Sequence, residues 1–146
     1  MACTKTFATL TIHSPVLSPA EIGERLGLSP TRTSSKDPAS RYRHVREWNR
    51  WHWSTEALSS SVETLDHVRM ILAPLEGKAD ALRALRESQC EMYVFCFWDF
   101  ADQGGIWLDV ESMEKLVQLG LDICWDIYGG ASESSESQAI GGGSKQ

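Results

Sequence analysis

Arginine, histidine and tryptophan side chains are concentrated in one segment of the chain, residues 41–54, which reads RYRHVREWNRWHWS. Guanidinium groups hold carboxylates and phosphates through paired hydrogen bonds, and tryptophan rings offer large contact surfaces, so the combination is typical of recognition sites. No arrangement for catalysis is present in this segment, which therefore predicts binding rather than a reaction. The contact residues that we predict here are Arg43, Arg46, Trp48, Arg50 and His52.

The positive charge of this segment contrasts with the rest of the chain. The protein has 14 basic and 20 acidic residues, a formal net charge of −6. Residues 32–50 alone carry six basic and two acidic side chains, a local charge of +4, which leaves −10 for the remainder. This asymmetry argues against a general attraction to nucleic acid or anionic membranes. It favours a specific contact with a protein partner, for which a basic toxin is one candidate.

Two carboxylates are predicted to form a second contact surface. Asp122 and Asp126 are four residues apart on the last predicted strand, so their side chains should point the same way, about 13 Å apart. That separation is too large for one metal ion or for the paired acids of a glycosidase. Asp109, expected on a neighbouring strand, would narrow the gap. We interpret the pair as an acidic surface for a basic partner.

The sequence predicts neither a metal site nor a cofactor. The cysteines form no CxxC pair and match no zinc spacing, the histidines are scattered, and no glycine-rich phosphate loop is present. Whether the protein is an enzyme stays open, with binding favoured. Free thiols, the lack of a signal peptide and the lack of an 18-residue apolar run predict a cytoplasmic protein.

The elements that must position these residues follow from the apolar periodicity. Helix 18–26 should begin at a Ser-Pro-Ala-Glu cap and end at Gly27, a helix behind a capping box at 60–63 should be interrupted by Pro74 and Gly77, and helix 111–119 should lie between Asp109 and Gly120. A hairpin turn is predicted at 102–105. Strands are predicted at 6–13, 45–54, 90–100, 106–110 and 121–128.

The resulting order, β-α-β-α-β-β-α-β, predicts an α+β fold. We expect a five-stranded, mostly antiparallel sheet with helices packed on one face, a variant of the ferredoxin-like arrangement. Within strand 45–54, alternation places Trp51 and Trp53 toward the core and leaves Trp48, Arg50 and His52 on the other face. Residues 1–130 form a single domain, and 131–146, rich in Ser, Glu and Gly, are predicted to be a flexible tail.

Three segments, in this order and spacing, carry a family resemblance. They are LSPAEI with LGLSPT at 17–31, WHWS at 51–54, and WLDVE with LGLDICWDIY at 107–128. Together they resemble an uncharacterised bacterial family, the domain of unknown function 4279. The resemblance implies the fold and a bacterial cytoplasmic setting, and it supplies no catalytic residues.

Two hypotheses for function follow. The first is a non-catalytic bacterial protein that acts by stoichiometric protein–protein contact, as an immunity or antitoxin-like protein would. The alternative is a small anionic-ligand-binding protein or an enzyme with an arginine-lined cleft near residues 29–50, where Arg32, Arg41 and Arg43 hold the anion. Nucleic-acid binding is a weaker third possibility because most of the chain would repel phosphate.

Overall fold

The computed structural model describes residues 3–129 of the 146-residue chain, so the predicted tail lies outside the described residues. The helices are α1 (Pro19–Leu26), α2 (Arg43–Glu47), α3 (Thr64–Leu72), α4 (Ala79–Glu87) and α5 (Val110–Leu119), with a 3-10 turn at Ala73–Leu75 between α3 and α4. The strands are β1 (Cys3–Ser14), β2 (Arg32–Ser34), β3 (Asn49–Ser54), β4 (Glu91–Phe100) and β5 (Asp122–Gly129).

The five strands form one sheet in the order β2-β3-β1-β4-β5. All neighbours are antiparallel except β4 and β5, which are parallel. A parallel pair needs a crossover connection, and α5 provides it. The predicted five-stranded, mostly antiparallel α+β fold is confirmed, although the strand order is not strictly ferredoxin-like.

One face of the sheet carries the core. Alternation along β1 buries Ala8, Leu10 and Ile12, and the register places Trp51 of β3 opposite Ile12 on the same face. Apolar side chains of α1, α3, α4 and α5 join these residues in one buried cluster. The helices therefore cover this face, and the alternate side chains of the strands point to the other. Within residues 3–129 no helix is long and apolar enough for a membrane span; α5, with 10 residues, is the longest.

The helix boundaries predicted from capping residues are confirmed for α1 and α5. The Ser18 hydroxyl accepts a hydrogen bond from the Glu21 amide at 3.1 Å, and the Asp109 carboxylate accepts one from the Ser112 amide at 2.8 Å. Both helices end at a glycine in the left-handed region, Gly27 and Gly120, where a side chain would strain the backbone. These caps are local, which is why the sequence alone reveals them.

The predicted strand 45–54 is wrong in its first part. Residues 43–47 form the single-turn helix α2, and the strand begins only at Asn49. Asn49 pairs with Ser14, the last residue of β1, so residues before Asn49 have no partner on β1. The predicted loop before this segment contains β2, a three-residue strand that pairs with residues 50–52.

The predicted hairpin at 102–110 is also wrong. Residues 106–110 form no strand, because β1 and β5 already occupy both edges of β4 and leave no place for a hairpin partner. The predicted capping box at 60–63 is not formed either. Helix α3 begins at Thr64 without a side-chain cap, and the Ser61 hydroxyl instead accepts from the Glu63 amide at 3.1 Å and donates to Asp66 at 2.7 Å.

Candidate functional site

The candidate site is the open face of the sheet, which consists of the strand side chains that point away from the core. Thr11 of β1 lies between His52 of β3 and Tyr93 of β4, and Tyr93 lies beside Asp122 of β5. Every second residue along each strand lies on this face and extends these rows. The face therefore runs from basic side chains on β2 and β3, through aromatic side chains on β1 and β4, to carboxylates on β5.

A groove of about 530 Å³ lies at the basic end of the open face. Its polar wall is formed by arginine and histidine side chains from three strands. Its floor is aromatic, because alternation along β1 and β4 brings a phenylalanine from each strand and one tyrosine to the same side. Its lining includes Arg32, Arg50, His13, His52, Tyr93 and Phe95.

Two histidines meet in this groove. The Nε2 atoms of His13 and His52 are 3.2 Å apart, and a guanidinium nitrogen of Arg32 lies 3.3 Å from Nδ1 of His52. Arginine can only donate, so Nδ1 of His52 accepts and its proton sits on Nε2. His52 then donates to Nε2 of His13. The chain of hydrogen bonds from Arg32 through His52 to His13 thus assigns a tautomer to both rings.

The surroundings of this pair favour neutral rings. Burial is the largest cause that lowers the pKa of His52 to about 4, followed by the charges of His13, Arg32 and Arg50. Burial also lowers the pKa of His13, with smaller contributions from Arg50 and His44. Both imidazoles are therefore uncharged near pH 7, and the positive charge of the groove comes from its arginines.

That positive charge has no acidic partner within the described part of the chain. Among residues 3–129 no ion pair engages Arg32 or Arg50, and the one hydrogen bond given by Arg50 runs from Nε to the Ser34 hydroxyl at 2.9 Å. Glu56 lines the same groove, but Lys5 neutralises it at 2.7 Å. The groove is a cationic site with guanidinium nitrogens free to bind an anion.

An aromatic row connects the groove with the acidic edge. His13 meets Tyr93 edge to face with ring centroids 6.2 Å apart. Phe7 stacks on Phe97 at 5.1 Å, and Phe97 lies 5.2 Å from Tyr128 on β5. Rings in such a row present a flat apolar surface on which planar groups can stack.

The acidic edge carries the two predicted carboxylates. Asp122 is exposed, and Asp126 is half-buried and accepts a hydrogen bond from the Tyr128 hydroxyl at 2.9 Å, which raises the pKa of Tyr128. Cys124 lies between them, and burial together with the two carboxylates raises the pKa of its thiol. Asp109 does not approach this pair, contrary to expectation, because it caps α5 and forms an ion pair with Arg69.

The structure divides the predicted contact residues into two groups. Arg50, His52, Asp122 and Asp126 share the open face, although the sequence suggested two separate surfaces. The others lie on or beside α2: Arg43 is paired with Glu47, Arg46 donates to the carbonyls of Ser40 and Arg41, and Trp48 is half-buried.

The alternative set for an anion site is divided as well. Arg32 lines the groove, whereas Arg41 and Arg43 do not, and the Arg41 guanidinium lies over the ring of Tyr42 at 4.9 Å. Sequence reasoning missed His13, Tyr93 and Phe95. Their alternation was readable, but only the pairing of β1 with β3 and β4 brings them to the groove.

A metal site is not formed in the described region. Among residues 3–129 no group of three or more His, Cys, Asp or Glu side chains converges to hold an ion. All four cysteines are free thiols, and burial raises the pKa of Cys96 to about 12. The chemistry that the open face offers is therefore anion binding by arginine, proton exchange by imidazole and stacking on aromatic rings.

Comparison with known proteins and families identifies one family for this chain. Comparison with curated proteins and with solved structures found no match. The model of a family described as Domain of unknown function (DUF4279) matches residues 4–130, which covers all of the sheet except Cys3. The protein therefore belongs to the DUF4279 family.

Proposed function

We propose that this protein is a binding protein that holds a protein partner by non-covalent contact with the open face of its sheet. The observation that carries the proposal is the arrangement of that face, with an uncompensated cationic groove on one side, carboxylates on the other and an aromatic row between them. Interfaces of this kind combine aromatic and arginine contacts with complementary charge.

The separation of the two charged regions favours a macromolecular partner. Asp122 and Asp126 lie on β5 and Arg50 lies on β3, three strand spacings away, which is about 14 Å. A small molecule that filled the groove would leave the carboxylates unused. A folded protein with an acidic group and a basic patch at matching distance could engage both.

The most concrete version of this proposal is an immunity or antitoxin-like role in the bacterial cytoplasm. A basic toxin would be attracted by the acidic body of the protein and oriented by the cationic groove. The free cysteines support a reducing compartment, in which thiols stay unpaired.

The test is capture of partners from the native host by the tagged full chain, followed by mass spectrometry and by binding measurements with the purified partner. The variants Arg50→Glu and Asp126→Lys reverse charge at the two ends of the face, and each should weaken binding at least tenfold, about 1.4 kcal/mol. Arg83→Glu on α4 changes charge away from the face and is the matched control. A partner that binds all three variants as tightly as the wild type would contradict the proposal.

The groove by itself supports a second candidate function, the binding of a small anionic ligand. Its volume of about 530 Å³ falls within the range of small-molecule sites, about 300 to 1,000 Å³. A thermal-shift screen of nucleotides and phosphorylated metabolites tests this function. Saturable stabilisation by one compound should be lost in Arg50→Ala and kept in Arg43→Ala, because Arg43 lies outside the groove.

A further inference from the structure

We propose that the groove binds the phosphoryl group of a ligand that also carries an aromatic ring, and that the His13–His52 pair takes up a proton as the anion binds. This inference rests on the small-ligand form of the proposed function and names its ligand class and its dependence on pH.

Both arginines line the groove and come from neighbouring strands. Arg32 is the register partner of His52, and Arg50 lies two residues before His52 on the same face. Arg50 uses its Nε for Ser34, which fixes the stem of the guanidinium and leaves its two terminal nitrogens for a ligand. Such forked donors match phosphate oxygens, which accept several hydrogen bonds at once.

The number of positive groups favours a phosphoryl group over a carboxylate. The positive charge of two guanidinium groups is larger than the negative charge of one carboxylate, and the histidine pair can add a third positive charge. A phosphate monoester carries a charge between −1.5 and −2 near neutral pH, because its second pKa is about 6. Glu56 does not offset this balance, since its carboxylate is held by Lys5.

The floor of the groove accounts for the aromatic part of the ligand. Tyr93 and Phe95 alternate with core residues on β4, and Phe7 of β1 lies beside them. These rings begin next to His13, so a planar ring attached to the bound phosphoryl group would lie on them. Stacking on aromatic side chains tolerates many ring types, so the floor selects for planarity rather than for one base or one phenol.

Proton uptake follows from the electrostatics of the groove. The groups that face the histidine pair are Arg32 from β2, Arg50 from β3, Tyr93 and the exposed Glu91 from β4, His44 from α2 and the Lys5–Glu56 pair at the rim; Glu91 is the register partner of His13. The two arginines disfavour an added positive charge. A bound anion offsets them and draws the Arg32 guanidinium away from Nδ1 of His52, which frees that nitrogen to take a proton from solvent, so the proton affinity of the pair rises on binding.

Nuclear magnetic resonance of the histidine ring protons, with phenyl phosphate as the probe, reports this step directly. Near pH 7, saturation with phenyl phosphate should shift the ring signals of His13 or His52 toward the imidazolium position and leave those of His67, which is buried in the core, unchanged. Calorimetry in two buffers of different ionisation enthalpy should show uptake of up to about one proton per ligand. Affinity should then rise by up to about tenfold per pH unit as the pH falls from 7.5 to 6.5.

Variants separate the parts of the inference. Arg50→Ala should abolish binding of phenyl phosphate. His52→Gln, which keeps a hydrogen-bonding side chain of similar size, should retain binding but lose the pH dependence, and Arg83→Gln on α4, away from the groove, is the control with both retained. Adenosine monophosphate and free phosphotyrosine, titrated alongside, distinguish a nucleotide from a phosphorylated aromatic amino acid as the source of the phosphoryl group.

Two outcomes would overturn the inference in different ways. Binding of phenyl phosphate without histidine shifts or proton uptake would refute the proton coupling and leave the anion site. Failure of phenyl phosphate and inorganic phosphate to bind, while a captured protein partner still depends on Arg50, would refute the phosphoryl site and leave the contact by the open face intact.

Discussion

His67 in the core and His52 on the open face use both ring nitrogens in opposite settings. His67 is 0% exposed, with Nδ1 2.6 Å from the Thr55 hydroxyl and Nε2 2.8 Å from the Ser61 carbonyl. His52 is half-buried between Arg32, a permanent cation, and His13, a second titratable ring. One histidine has neutral partners and the other has partners that carry or can gain charge.

The difference separates a histidine that maintains the fold from one that can respond to a ligand. The Ser61 carbonyl only accepts, so His67 donates from Nε2 and accepts the Thr55 hydroxyl at Nδ1. The Thr55 oxygen in turn accepts the Ala8 amide at 3.0 Å, which joins β1, the end of β3 and α3. Every group in this network is satisfied, so it resists change. The pair on the open face is kept neutral first by burial and then by the charges of the nearby arginines, and a bound anion can offset the second cause.

Removal of the buried histidine, His67, should destabilise the fold most. His67→Ala should lower the free energy of unfolding by about 2 to 4 kcal/mol, because it leaves a cavity and removes the partners of two buried polar groups. His52→Ala should cost less than about 1 kcal/mol, since solvent can replace its partners. Urea unfolding at pH 7 measures both, and equal losses would contradict the assignment of His67 as the structural residue.

Acidification tests whether the fold keeps His52 of the open face neutral. A histidine whose pKa is lowered on folding is neutral in the folded protein. Its contribution to the free energy of unfolding is fully present above the unfolded pKa of about 6.5, and it is lost as the pH falls toward the folded pKa. For His52, whose folded pKa is about 4, this loss should reach roughly 1 to 3 kcal/mol at pH 4.

The measurement is urea unfolding of the wild type and of His52→Gln at pH 7 and at pH 4. Carboxylates also titrate in this range, so the readout is the difference between the two proteins. The variant should lose less stability on acidification than the wild type. Parallel curves would show that His52 is not held neutral by the fold.

Loss of Arg32 should change the pKa of His52 only slightly. Arg32→Ala removes both the donor to Nδ1 and a positive charge, but burial remains the largest cause of the lowered pKa. The pKa of His52 should therefore rise by less than about one unit. A titration of the histidine ring signals measures the change, and a return to the ordinary value would make Arg32, rather than burial, the dominant cause.

Much of the fold could be predicted because its signals are local. Alternation along residues 6–13, 90–100 and 121–128 predicted β1, β4 and β5, and the caps at Ser18 and Asp109 predicted α1 and α5. The start of β3 could not be predicted, because residues 45–48 alternate like a strand although 45–47 belong to helix α2 and Asn49 is the first residue with a partner on β1. Strand β2 was missed because three polar residues carry no periodicity.

The candidate site was predictable only in part for the same reason. Composition pointed to Arg50 and His52, and spacing placed Asp122 and Asp126 on one side of a strand. Their union on a single face depends on the order β3-β1-β4-β5, which no local pattern encodes. His13 shows this most clearly, since nothing near it in the sequence indicates that its ring meets that of His52, 39 residues away.

The central position of β1 has a consequence for synthesis of the protein. This strand is made before the other four strands of the sheet, yet it needs β3 on one side and β4 on the other, and Ala8 pairs with Cys96 only after the chain between them has been made. Until then its apolar row and unpaired amides are exposed to other chains. Because pairings this distant in sequence form slowly, the nascent protein passes through a stage in which it is prone to aggregate and open to chaperones.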